Sequence, residues 1–173
     1  VSLIHASPPA GNAHREQENT NLLLRLLPVL LPLAVRWAER EEKRILRKGV
    51  ALVEPHLSDA RIVGVEYPER IRLLKVRSIP PPSNPILKFA AHTTGLVSQD
   101  SAGMALRYGI LIREEFSGDR NLIAHECVHT SQYERLGGFN AFLSRYLREC
   151  LECGYPEAPL EQEAMLKSAE ICG

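Results

Sequence analysis

The chain has 173 residues, of which 24% are charged, with 21 Lys plus Arg balanced by 21 Asp plus Glu and a pI of about 7.2. This length fits one domain able to bury a core without staples, and zero net charge supplies no global field to gather nucleic acid, so no nucleic-acid partner is expected. Four cysteines, one of them inside the string HECVH, are too few and too unevenly spaced for a secreted disulfide framework, which points to a reducing, cytoplasmic setting.

Residues 1–19 are rich in Pro, Gly, Asn and charge without periodicity and read as a flexible N-terminal arm, leaving 20–173 as a single domain. From Asn21 the pattern becomes helical, and Pro32 suits the first turn of a second helix running to Gly49. Between Arg25 and Arg36 the apolar run is only ten residues and is interrupted by Pro28 and Pro32, whereas a membrane span needs about 20. A weak peripheral membrane contact through residues 22–37 is the membrane role left to this leucine-rich segment. Residues 50–69 suit a short helix and a turn, and RIRLLKVRSI (70–79) alternates like a strand that PPPSNP stops. GMALRYGILIREE (103–115) is a second strand candidate, and FSGD is a turn able to cap a helix beginning near Asp119. Beyond it, Phe139, Phe142, Leu143, Tyr146, Leu147 and Cys150 form a helical apolar face. GYPEAP (154–159) breaks that helix before a last one from about Leu160 to Ile171.

The chemistry is concentrated in HECVH, residues 125–129. On a helix His125 and His129 stand one turn apart on one face and can share a metal ion, while Cys127 points away. Glu126 lies about 100° round from His125, too far to bind the same ion but placed to act as a general base on water. Such an arrangement calls for Zn2+ and a third protein ligand. No third histidine follows at the spacing that some zinc peptidases use, since Gln132 stands where that motif has glycine. An acidic ligand is therefore expected from APLEQEAMLKSAE, which offers Glu161, Glu163 and Glu170, with Glu163 the first choice. Glu161 is about 200° round the helix from Glu163, so the two do not face one ion.

HExxH followed after a few tens of residues by a glutamate on a second helix resembles the gluzincin branch of the zincins. The string from Leu122 to Ala164 is also similar to bacterial zincin-like proteins that carry HExxHxxQY and end in ExEA, and the likeness extends over roughly residues 60–170. The resemblance implies a mainly helical α+β zincin-like domain with a small sheet beside the HExxH helix. In such families the glutamate before the alanine is the usual ligand, here Glu163. Lys167 stands four residues later, where thermolysin-like enzymes have an aspartate that orients a ligand histidine, so the surroundings of the site must differ. The resemblance further implies that the strand MALRYGILIR pairs with an extended substrate, with a plain core strand as the equal alternative.

The expected function is a zinc-dependent hydrolase, a metallopeptidase acting on a peptide or protein substrate, with His125, His129 and Glu163 as ligands and Glu126 as base. The rival is a non-catalytic zinc-stabilised interaction domain, against which the retained Glu126 argues. Tyr155, Tyr146, Tyr108 and His92 are candidates to stabilise an oxyanion. Gln132 and Tyr133 can contact the metal site or pack behind it, with packing the favoured role; CLEC (150–153) is expected to supply core cysteines, and His5, His14 and His56 to be ordinary residues.

Overall fold

The computed structural model describes residues 10–82, 84, 85, 87, 88 and 101–172. Helix α1 (Ala10–Lys48) is 39 residues long and contains both Pro28 and Pro32. One helix thus replaces the expected pair, and it begins within the segment read as an arm; residues 1–9 lie outside the described part. The position of the prolines explains the continuity. Leu23, Leu27, Leu30, Ala38 and Ile45 are buried, and at about 100° per residue they form one stripe. Pro28 and Pro32 are exposed on the opposite side, so the carbonyls they leave without an N–H partner are within reach of water, and packing of the stripe carries the helix through. Over Glu18–Lys48 the helix is, by length and composition alone, long and apolar enough to cross a membrane.

After α1 come β1 (Val50–Ala51), α2 (His56–Ile62), β2 (Arg72–Val76), β3 (Gly103–Leu106) and β4 (Gly109–Arg113). Three helices close the chain: α3 (Arg120–Leu136), α4 (Phe139–Cys153) and α5 (Pro159–Cys172). The strands form one sheet in the order β1-β2-β4-β3, with β2 and β4 parallel and the other two pairings antiparallel. The architecture is α+β and mainly helical, with the small sheet beside the helix that carries HECVH.

The candidate strand 103–115 is a hairpin, because Leu106 pairs with Gly109 and the chain turns at Arg107 and Tyr108. Arg107 takes the left-handed conformation, with φ 56°, an uncommon position for a residue with a Cβ that its surroundings must hold. Its guanidinium donates to both carboxylate oxygens of Glu42 on α1, at 2.8 and 2.7 Å. Its carbonyl accepts from the Thr130 hydroxyl on α3 at 2.6 Å. The turn is therefore pinned to two helices. Strand β4 is central and is buried over Gly109–Ile112. Ile110 and Ile112 join one core cluster with Ile123, Cys127, Val128 and Ala164, while Leu111 joins another with Ile45, Tyr133, Phe142 and Leu160. Alternation along one strand thus fastens the sheet to helices on both faces.

Glu42 is only 3% exposed, and replacing it with Ala leaves the Arg107 fork and the Tyr108 N–H without their acceptor. We expect Glu42→Ala to lower unfolding free energy by about 1–3 kcal/mol in urea titrations, since Arg107 keeps partial access to water. A loss within experimental error would show that the turn does not depend on this pair.

Candidate metal centre

Helix α3 is bounded by local chemistry. The Asp119 side chain accepts from the Leu122 N–H at 3.0 Å at its start, and Gly137 ends it with φ 92°, the left-handed conformation glycine adopts at little cost. Between these caps Ile123, Ala124, Cys127 and Val128 are buried in the core, which fixes the rotation of the helix and turns His125 and His129 to one side. Their Nε2 atoms lie 3.2 Å apart.

The carboxylate that meets them belongs to Glu161, in the first turn of α5. Its oxygens lie 3.4 Å from His125 Nε2 and 3.2 Å from His129 Nε2. Together the three side chains form a group that can hold a metal ion. Glu161 is 2% exposed, and the Tyr146 hydroxyl donates to its Oε1 at 2.5 Å. Burial opposes its charge, but the flanking His125 and His129 nitrogens outweigh that cost and hold its carboxyl well below the ordinary range.

Glu163, the ligand expected from the sequence, is elsewhere. Its two oxygens accept from the Arg135 guanidinium at 2.9 and 2.7 Å, and Lys167 Nζ lies 2.9 Å away. Hydrogen bonding from Arg135 in particular lowers its carboxyl to about 2. The correction follows from helix geometry, since only one of the two glutamates can face α3's histidines. Lys167, noted in the sequence as a departure from the thermolysin-like pattern, carries the signal: four residues after Glu163 it marks that face as an i,i+4 ion-pair face. Glu170, the third candidate, is exposed and outside the group.

Gln132 does more than pack. Its Oε1 lies 2.8 Å from His129 Nδ1, while its Nε2 donates to the Leu160 carbonyl at 2.9 Å and to Glu163 Oε2 at 3.1 Å. With the amide nitrogen committed to two acceptors, the amide oxygen must face the ring, so Nδ1 carries the proton and donates. The Nε2 lone pair of neutral His129 is thereby directed at the ligand group. Tyr133 does pack behind, stacked on Phe142 with ring centroids 3.8 Å apart.

Glu126 is 4% exposed, and burial raises its carboxyl above the ordinary value. A Cβ placed on Gly103 of β3 would stand 2.5 Å from Glu126 Oε1, so the strand and the carboxylate approach to a distance that only glycine permits. Of the oxyanion candidates, Tyr146 and Tyr155 line the cavity at this centre, which has a volume of about 740 Å³. Tyr108 instead donates to Glu134 at 3.0 Å, and His92 lies outside the described residues. His56 sits 3.9 Å from Asp59, away from the centre, while His5 and the His14 side chain are outside the described part. In CLEC, Cys150 is buried and Cys153 exposed, so only the first is a core cysteine.

Glu161→Ala should abolish stoichiometric metal uptake measured by elemental analysis, whereas Glu163→Ala should retain it with affinity reduced through Gln132 by about tenfold or more. The reverse pattern would restore Glu163 as the ligand. No protein-family model, curated protein or solved structure matches this chain.

Proposed function

We propose that the protein is a zinc-dependent hydrolase of the metallopeptidase type, related in design to the gluzincins, with His125, His129 and Glu161 holding zinc and Glu126 serving as the base. The observation that carries this reading is the buried Glu126 carboxylate standing beside a three-donor group on the wall of a large cavity. A site that only stabilises the fold has no use for such a base.

The donor set suits zinc. Two imidazole nitrogens and one carboxylate are its common catalytic ligands, and ligand distances of about 2.0–2.1 Å in tetrahedral array separate neighbouring donor atoms by about 3.3–3.4 Å. The donor pairs here are 3.2, 3.4 and 3.2 Å apart. Zinc supplies Lewis acidity, lowering the pKa of water and polarising a carbonyl. Glu126 accepts the proton of the water whose oxygen attacks the carbonyl carbon, then delivers it to the amine nitrogen as the C–N bond breaks. Tyr155, on the cavity wall with its hydroxyl beside Glu161, would turn that hydroxyl to the carbonyl oxygen and donate a hydrogen bond to it as the oxygen gains charge. Tyr146 is committed to Glu161 and positions that ligand.

A peptide substrate is supported by β3. Among the described residues this strand pairs only with β4, and Gly103–Leu106 lines the cavity beside Glu126, so an extended chain laid along its free edge gains backbone hydrogen bonds. The three described cysteines are free thiols, which supports a reducing, cytoplasmic setting. A peripheral membrane contact is supported by Leu22, Leu26 and Val29, exposed on α1.

Glu126→Gln should keep zinc and lower peptide hydrolysis by about 10²–10⁴-fold. Gly103→Ala should behave in the same direction, retaining zinc while displacing the base. Tyr155→Phe should reduce kcat by about 10²–10³-fold with little change in metal content. Zinc-loaded protein that cleaves no member of a peptide library would leave the non-catalytic, zinc-stabilised interaction domain as the reading. Protein that takes up no zinc would remove both.

A further inference from the structure

The cavity does not end at the metal centre. From His125, His129 and Glu161 it extends to a wall built by Leu23, Leu27, Leu30 and Trp37 of α1, faced by Leu87 and by Leu151 of α4. Leu23, Leu30 and Leu87 form a cluster of their own, with Trp37 and Leu151 packed against it. None of these six side chains carries a charge. Among the described residues, the ionisable groups on the cavity wall are Asp119 and the residues of the metal centre itself, His125, Glu126, His129, Glu161 and the flanking tyrosines. An occupant that reaches from the reaction centre to α1 therefore meets polar partners at one end and apolar surface at the other. A charged group carried to the α1 end would be desolvated without a partner.

The dimensions favour an elongated occupant. Leu23 to Trp37 spans 14 helical steps, or about 21 Å, and an extended peptide advances about 3.3 Å per residue, so the wall can accompany roughly six residues. A volume of about 740 Å³ is within the range of roughly 300–1,000 Å³ in which pockets enclose most of a ligand's surface. The same cavity is bordered by the edge strand Gly103–Leu106. The Ala105 backbone on that edge hydrogen-bonds the Glu126 carboxylate, and among the described residues no second strand pairs with the edge, so a peptide backbone can find hydrogen-bonding partners there that a hydrocarbon chain would not use.

Resting on the hydrolase reading above, we infer that the substrate is an extended polypeptide segment with large aliphatic or aromatic side chains near the scissile bond, and that Leu27, Leu30 and Trp37 of the N-terminal helix determine this specificity. Strand β3 holds the backbone, the metal centre and Glu126 act on one peptide bond, and α1 selects the side chains.

Trp37 is the only tryptophan in the chain and reports directly on this wall. Full-length zinc-loaded Glu126→Gln protein is titrated with two end-blocked octapeptides of equal length, one leucine-rich and one with the leucines replaced by serine, while Trp37 emission is followed. The leucine peptide should bind about tenfold tighter or more and shift the emission. Leu27→Ser should erase most of that difference, and Leu22→Ser, on the exposed side of α1, should leave it intact. If Leu27→Ser does not fold, the two-peptide comparison on the unmodified wall decides alone. Equal affinity for the two peptides, or binding without a change in Trp37 emission, overturns the inference. So does undiminished binding of a backbone N-methylated leucine peptide, which would assign the cavity to an acyl chain. Cleavage of library peptides by wild-type protein with no preference for apolar side chains removes the inference and leaves the hydrolase reading. Absence of any cleavage removes the hydrolase reading, while the fluorescence titration still decides what the cavity accepts.

Discussion

The site depends on one buried amide. Gln132 is fully buried and ties α3 to α5 through three partners, with its oxygen on His129 and its nitrogen on the Leu160 carbonyl and the Glu163 carboxylate. A primary amide has only these two ends, so satisfying both fixes its orientation. Three consequences follow from that one orientation: the His129 tautomer, the docking of the first turn of α5, and hence the place of Glu161, which is next to Leu160 in the chain. A buried polar group so fully engaged is costly to disturb, because each partner would be left unsatisfied away from water. Glu163 belongs to the same network from its outer side. Its ion pairs with Arg135 and Lys167 hold it against the Gln132 amide, so Glu163, outside the three-donor group, still reaches His129 through two hydrogen bonds.

The second support comes from the hairpin. Strand β3 can approach Glu126 only because Gly103 lacks a side chain, and its position is set four residues on, at the Arg107 turn. Glu42 of α1 and Thr130 of α3 grip that turn from opposite sides. Thr130 directly follows His129, so the helix that bears the histidines also anchors the strand that borders them. The distance between base and strand edge is therefore set by packing within one rigid unit.

Much of this was legible in the residues, and the rest was hidden for identifiable reasons. The HECVH helix announces itself through Asp119, the i,i+4 histidines and Gly137, all of them local signals. The apolar face of α4 is equally plain, because Phe139, Phe142 and Cys150 are buried at helical spacing. The continuity of α1 was not legible, since proline propensity argues for a break and only tertiary packing shows that both prolines face outward. The hairpin was missed because Arg-Tyr is not a pair that favours the left-handed conformation, and the acceptor that stabilises it, Glu42, is 65 residues away. The choice between Glu161 and Glu163 followed a family pattern where the periodicity of α5 held the answer. Leu160, Glu161, Ala164 and Ser168 are its buried residues, and Glu163 lies off that face beside its i+4 lysine.

The length of α1 gives the cavity its character. Its 39 residues correspond to about 58 Å of helix, whereas the 15 residues of α4, the helix it packs along, reach about 22 Å. In the C-terminal half the stripe is covered, with Ala38 and Ile45 packed in a core cluster that includes Leu106 and Leu111 of the sheet. In the N-terminal half the same stripe continues as Leu23, Leu27 and Leu30, which are also buried but border the cavity. One helical face thus serves as core at one end and as binding wall at the other. Because Glu42 fastens that helix to the turn beside β3, the apolar wall and the strand edge are held at a fixed separation, which is what the proposed selection of a side chain at a set distance from a cleaved bond requires.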